Sequence, residues 1–145
     1  MILFSSELEF VFKNEIKMNK LIIDVANEKL FLMIIIKDDI YNITHENTKI
    51  NFEKLTIIIN DFLNTRGLKM SDIDKIYINR GPGSFAGIRN SLSVVKAFNV
   101  AKKIDFYCFS FKDFKGEKDI THANIPNLCD KFKIKKNLIN PIYIS

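Results

Sequence analysis

Apolar and polar positions fall into distinct periods along the chain, and the changes of period mark its elements. Leu21-Ile22-Ile23-Asp24-Val25 is a short apolar run ending in an acid, and Lys29 to Lys37 (KLFLMIIIK) is a longer one. Both predict strands. Lys37-Asp38-Asp39 predicts a turn, after which Ile40 to Thr44 alternates as a third strand. Three close strands joined by short polar turns predict an antiparallel meander.

The period then lengthens. Phe52, Leu55, Ile58, Ile59, Phe62 and Leu63 predict a helix from Phe52 to Arg66, with Asn51 as N-cap and Gly67 as the C-terminal stop. At ~100° per residue they cover roughly 140°, wider than the ~100° stripe that faces one core. Lys75 to Asn79 predicts a fourth strand, Gly81-Pro82-Gly83-Ser84 a turn, Phe85 to Lys102 a second helix and Phe106 to Phe109 a fifth strand. The order β-β-β-α-β-α-β is that of the actin-like and ribonuclease-H-like (ASKHA) folds: a single α/β lobe with a mixed five-stranded sheet. From Lys112 to Asn137 the chain is polar without lasting periodicity, and Ile139 to Ile144 predicts a last edge segment.

Composition narrows the class. A chain of 145 residues, 47% apolar and 27% charged, suits one domain. Five Gly, three Pro and 13 Phe exclude collagenous and disordered chains. The longest apolar run, Leu30 to Ile36, is far short of the ~20 residues that span a bilayer, so no membrane partner is expected. Cys108 and Cys129 form no CxxC, which points to a reducing compartment and a cytoplasmic location. The net charge of +5 comes from 19 Lys against 3 Arg, a bias of the kind AT-rich coding gives, although the tail from Phe111 carries +3 of it. Residues 1–17 lack a basic leader and a cleavage site; they read either as an extra element or as translation from a start upstream of Met18.

Candidate chemistry is sparse. Asp24 ends the first strand, where this fold class often holds a carboxylate. A two-metal nuclease needs a second acid at the end of the fourth strand, and Asn79-Arg80 stands there. An ATPase needs a Gly-containing phosphate turn after the first strand, and Val25-Ala26-Asn27-Glu28 has none. Asp24 is most simply a turn or capping residue. The segment from Gly81 to Ser84 is an anion-binding arrangement in principle but lacks the lysine of a P-loop; the simpler reading is a tight turn with Ser84 as N-cap. His45 and His122 have no partner at ligand spacing, so no metal, cofactor or catalytic residue is assigned.

The second helix carries two apolar stripes: Phe85, Ile88, Leu92 and Val95, and beside them Gly87, Ser91, Val94 and Phe98. One covers the sheet; the other would be wet in a monomer. A second subunit is the economical cover, with Phe52, Ile58, Phe62, Gly87, Ser91, Val94 and Phe98 as its interface; the alternative is burial beneath this chain's own tail. On this reading Gly87→Leu blocks pairing and leaves the fold intact.

The segment GPGSFAGIR, with Gly81, Pro82, Gly83, Ser84, Phe85, Gly87 and Arg89, resembles the GPGSFTG[IVL]R signature of the bacterial TsaB (YeaZ) family. LIIDVANEK, His45-Glu46, LKMSDIDKIYINR and the closing PIYIS agree with it. Ala86 stands where Thr is usual, and Val25-Ala26 where Thr-[AS] is common. The resemblance covers roughly Lys20 to Phe114. It implies an N-terminal subdomain over 18–114, a shortened remnant of the C-terminal subdomain over 115–145, and a start near Met18.

It also implies a role: a noncatalytic scaffold that pairs through its helices with the transferase TsaD, on which the ATPase TsaE cycles. Through that complex it would meet tRNA, where the adenosine beside the anticodon is threonylcarbamoylated in tRNAs reading codons that begin with A. For the chain alone, the resemblance leaves a homodimer open. The alternatives are a degenerate actin-like ATPase, a peptidase-like protein, or a standalone tRNA-binding module suggested by the basic tail.

Overall fold

Strand pairing gathers the apolar runs into one sheet. The computed structural model describes residues 18–144, so both readings of 1–17 lie outside the described residues. The strands are β1 (Asn19–Asp24), β2 (Lys29–Ile36), β3 (Asp39–Glu46), β4 (Lys75–Asn79) and β5 (Asp105–Phe109). They lie in the order β3-β2-β1-β4-β5. The first three pair antiparallel, as the short turns require, while β4 and β5 run parallel to β1 across helical crossovers. This is the mixed five-stranded sheet of the actin-like and ribonuclease-H-like folds.

Side-chain parity divides the core in two. Leu21 and Ile23 of β1, Leu30, Leu32 and Ile34 of β2, Ile76 and Ile78 of β4, and Phe106 and Cys108 of β5 share one face. Ile22, Met33, Tyr77 and Phe109 point the other way. Both faces are covered, which is why β2 reads as one unbroken apolar run rather than an alternation.

Three helices cover the first face: α1 (Lys49–Glu53), α2 (Leu55–Asn64) and α3 (Phe85–Lys102). The single helix expected from Phe52 is instead a pair interrupted at Lys54, and it starts earlier. Its N-cap is Thr48, whose Oγ1 accepts from the Asn51 N–H at 3.2 Å. Asn51 instead donates its side-chain amide to the Glu46 carbonyl at 2.7 Å. Gly67 ends the helical stretch with φ +69, as expected. The second helix falls over Phe85–Lys102 with Ser84 as N-cap.

The tail builds the second layer, which its weak periodicity concealed. A 3-10 turn at Phe111–Asp113, a second at His122–Asn124 and the short helix α4 (Ile125–Lys131) bring Phe114, Ile125, Leu128 and Cys129 onto Ile22, Tyr77 and Phe109. Two turns of helix opening on Pro126 are too short to show a 3.6-residue period. The segment Ile139 to Ile144 forms no strand. It is held beside the turn before α3 by Ile142 N–H to the Arg80 carbonyl (2.7 Å) and Ile144 N–H to the Gly83 carbonyl (3.0 Å).

Candidate functional site

Because β1, β4 and β5 are parallel, their C-terminal ends meet at one edge, the position where open α/β sheets form a crevice. Asp24, Asn79-Arg80 and Ser110 stand there. Asp24 has the parity of Ile22 and pairs in register with Phe31 of β2, which places it on the tail side of the sheet. Its side chain is 1% exposed. Oδ1 accepts the Ala26 N–H at 3.0 Å, the turn role read from the sequence. Oδ2 lies 2.8 Å from His122 Nε2 and 3.3 Å from the Asn27 side-chain amide.

The histidine is the element that sequence reasoning missed. Its ring stacks on Phe31 at 4.1 Å between centroids and meets Phe111 edge-on at 5.8 Å. A carboxylate partner 98 residues away leaves no local spacing signal; the acid at the end of the first strand was the only hint. Tail side chains therefore occupy the crevice over β1. His45 sits exposed on the edge strand β3, apart from this cluster.

The Gly-Pro-Gly turn is built by close approach. Asn79 Oδ1, buried, accepts the Gly81 N–H at 2.9 Å. Gly81 has φ +114, and a Cβ there would lie 2.0 Å from the Ile142 carbonyl oxygen. A Cβ on Gly83 would lie 2.9 Å from Ala26 Cα, so this turn and the one after β1 are in backbone contact. Pro82 is half-buried between them. Ser84 Oγ accepts the Gly87 N–H at 3.2 Å and spends one of the helix-end amides that an anion would use. Phe85, exposed, packs on Tyr143 at 4.8 Å and carries the Arg89 guanidinium 5.6 Å from its ring centre.

Arg80 ties the turn to the tail. Its Nη2 and Nε donate to Asp113 at 2.6 and 3.3 Å, and Nη1 donates to the Asn140 carbonyl at 3.0 Å. Asp113 in turn accepts the Ser110 N–H at 2.8 Å. The fork-to-carboxylate geometry is the strong form of this pair.

The seven residues expected at a subunit interface lie elsewhere than on a wet face. Phe52, Phe62, Gly87 and Ser91 are buried within the chain, and Ile58, Val94 and Phe98 are half-buried against the same core. The second stripe of α3 is covered by α1 and α2, which accounts for the wide apolar arc on those helices. A Cβ on Gly87 would lie 2.9 Å from Phe52 Cζ, so Gly87→Leu strikes this chain's own core first. The exposed large apolar residues of the helical layer are Ile50 (63%), Ile57 (58%), Val100 (70%) and, at the start of α3, Phe85 (55%).

The two thiols are sequestered. Burial pushes Cys108 and Cys129 up to about 12 from the usual 9.0; Asp130 adds to the effect at Cys129, and the Asn140 backbone and Arg80 partly offset it at Cys108. Burial also raises Tyr77 and, less deeply set, Tyr107. Among the described residues no group of three His, Cys, Asp or Glu side chains gathers as a metal cluster, and no helix is long and apolar enough to cross a membrane.

Comparison with known proteins agrees with this geometry. The family model described as TsaD: tRNA N6-adenosine threonylcarbamoyltransferase matches residues 47–110, the stretch from α1 through β5. No curated protein matches the chain. Two solved structures are similar in fold: YeaZ from Pseudomonas aeruginosa, and an uncharacterized protein with similarity to peptidase YEAZ from the same organism. Each has a TM-score of 0.60 and 22% identity over 64% of this chain, covering 44% and 43% of their own lengths. This chain thus spans less than half the length of those structures. The likeness is one of fold, over the part of those structures that this chain spans.

Proposed function

We propose that this YeaZ-like chain serves tRNA threonylcarbamoyladenosine formation as a noncatalytic scaffold paired with a TsaD-type transferase in the cytoplasm. The observation that carries the reading is the joined strand, Gly-Pro-Gly turn and helix inside the 47–110 match. A turn in which Gly81 and Gly83 are wedged against Ile142 and Ala26 sets the pitch of α3 and does not open a pocket. The crevice where a nucleotide-binding relative would need room is filled by Asp24, His122, Phe31 and Phe111. That filling favours a scaffold over an ATPase or peptidase.

The partner surface is the outer side of the helical layer, where Ile50, Ile57 and Val100 stand exposed. In the absence of the transferase the same surface supports a homodimer, and in the complex a TsaE-type ATPase joins.

Reconstitution tests the reading. Threonylcarbamoylation of unmodified tRNA is measured with the transferase and the rest of its system, with and without this chain. The expected result is dependence on the chain, unchanged by Asp24→Asn. Equal modification without the chain contradicts it, and ATP or peptide turnover by the chain alone, abolished by Asp24→Ala, would establish the enzyme alternative.

A further inference from the structure

The tail contains a groove that the scaffold role does not use. It has a volume of about 370 Å³ and runs between the turn after β5 and the turn after α4. Lys112 and Lys115 from the turn after β5, and Lys133 and Lys135 from the turn after α4, line it. Arg80 and Asp113 also line it, but they neutralise each other. The four lysines are exposed and make none of the ion pairs among the described residues. Two neighbouring lysines behave differently: Lys131 pairs with Glu117, and Lys136 lies 3.9 Å from Asp105. Of the tail's acids, Glu117 is thus spent on a cation outside the groove and Asp113 on Arg80.

The backbone enforces this arrangement. The Ile134 N–H closes on the Cys129 carbonyl at 2.9 Å, and Lys133 takes the left-handed position with φ 53 that Gly or Asn ordinarily fills.

We infer that this groove takes the phosphate backbone of an RNA strand. Four ammonium groups from two turns match a string of charges rather than a single anion. Lysine offers point charges suited to phosphates, without the planar fork that reads a particular base or carboxylate. Half-buried Phe132 and exposed Leu138 also line the groove and offer apolar contact to a base or sugar. The choice of RNA over another polyanion rests on the tRNA reading above.

Binding of labelled, unmodified tRNA by the full chain, followed by fluorescence anisotropy over a KCl series, tests the inference. Four phosphate contacts give a slope of log affinity against log salt near −3. Lys133→Asn with Lys135→Gln keeps the left-handed turn and should make the slope shallower by about 1.5, with at least tenfold weaker binding at 100 mM salt. Lys112→Gln with Lys115→Gln should act alike, from the other turn. Lys54→Gln with Lys69→Gln removes the same charge elsewhere and should change neither slope nor affinity by more than about twofold. Melting curves matched to the parent establish that each pair folds.

Equal weakening by the control pair, no change in the groove pairs, or capture of an acidic peptide in preference to tRNA overturns the inference. Transferase binding is read separately by pull-down. A lost slope with the partner retained sinks the groove alone; a retained slope with the partner lost supports the groove and sinks the scaffold.

Discussion

His122 Nε2 stands 2.8 Å from Asp24 Oδ2, joining the tail to the end of the first strand across 98 residues of sequence. Asp24 is buried, so the contact is made largely out of water, and Phe31 and Phe111 hold the ring in place. Together with Arg80–Asp113 it fastens the second layer to the sheet.

His122→Ala should therefore release the tail before the rest. The loss is about 2 kcal/mol, the range for leaving a buried acceptor short of a partner. Amide exchange reads it directly: α4 loses protection while α3 keeps its own. Unchanged exchange in α4 would mean that apolar packing alone holds the tail.

Two glycines with positive φ separate into a crowded and a free position. Gly81→Ala forces a Cβ against the Ile142 carbonyl at a φ of +114 and should cost about 3 kcal/mol. Gly67, at φ +69, meets nothing within 4 Å, so Gly67→Asn should cost well under 1 kcal/mol. Urea midpoints of the two variants check the contrast.

Gly87 and Phe52 should be energetically coupled. Gly87→Leu overpacks the contact and lowers stability by about 1–3 kcal/mol. Phe52→Ala opens space there, and the double variant should recover at least 1 kcal/mol relative to additivity. Strict additivity in the cycle would place the contact elsewhere.

The buried thiols make stability fall at high pH. Unfolding exposes Cys108 and Cys129, which then release protons near 9.0, whereas in the folded chain they hold them to about 12. Between those values the folded state binds more protons, so unfolding becomes easier as pH rises, by about 1.4 kcal/mol per pH unit for each thiol. Cys129→Ala should flatten that slope while leaving the region below pH 8 parallel to the parent.

What the sequence disclosed depended on local signals. The strand runs, the Lys37 turn and the span of α3 are periodic or punctuated, and they read correctly between Leu21 and Phe109. The break at Lys54 has no Gly or Pro to announce it. Helix α4 is two turns long, and its apolar face is completed by Phe114 and Tyr77 from elsewhere. The same limit governed the site. Asp24 was legible as a turn residue because Ala26 is two positions on, but His122 becomes its partner only through the fold. From the sequence, Gly87 reads as covered by a second subunit. The approaching group is Phe52 of the same chain, because the width of an apolar arc does not say which helix covers it.

Size-exclusion chromatography with light scattering on an equimolar mixture of this chain and a TsaD-type transferase tests the central claim most directly. The account predicts a one-to-one complex, weakened at least tenfold by Ile57→Asp or Val100→Asp with melting temperatures unchanged. Two separate peaks at micromolar concentration, with the chain eluting alone, would contradict it.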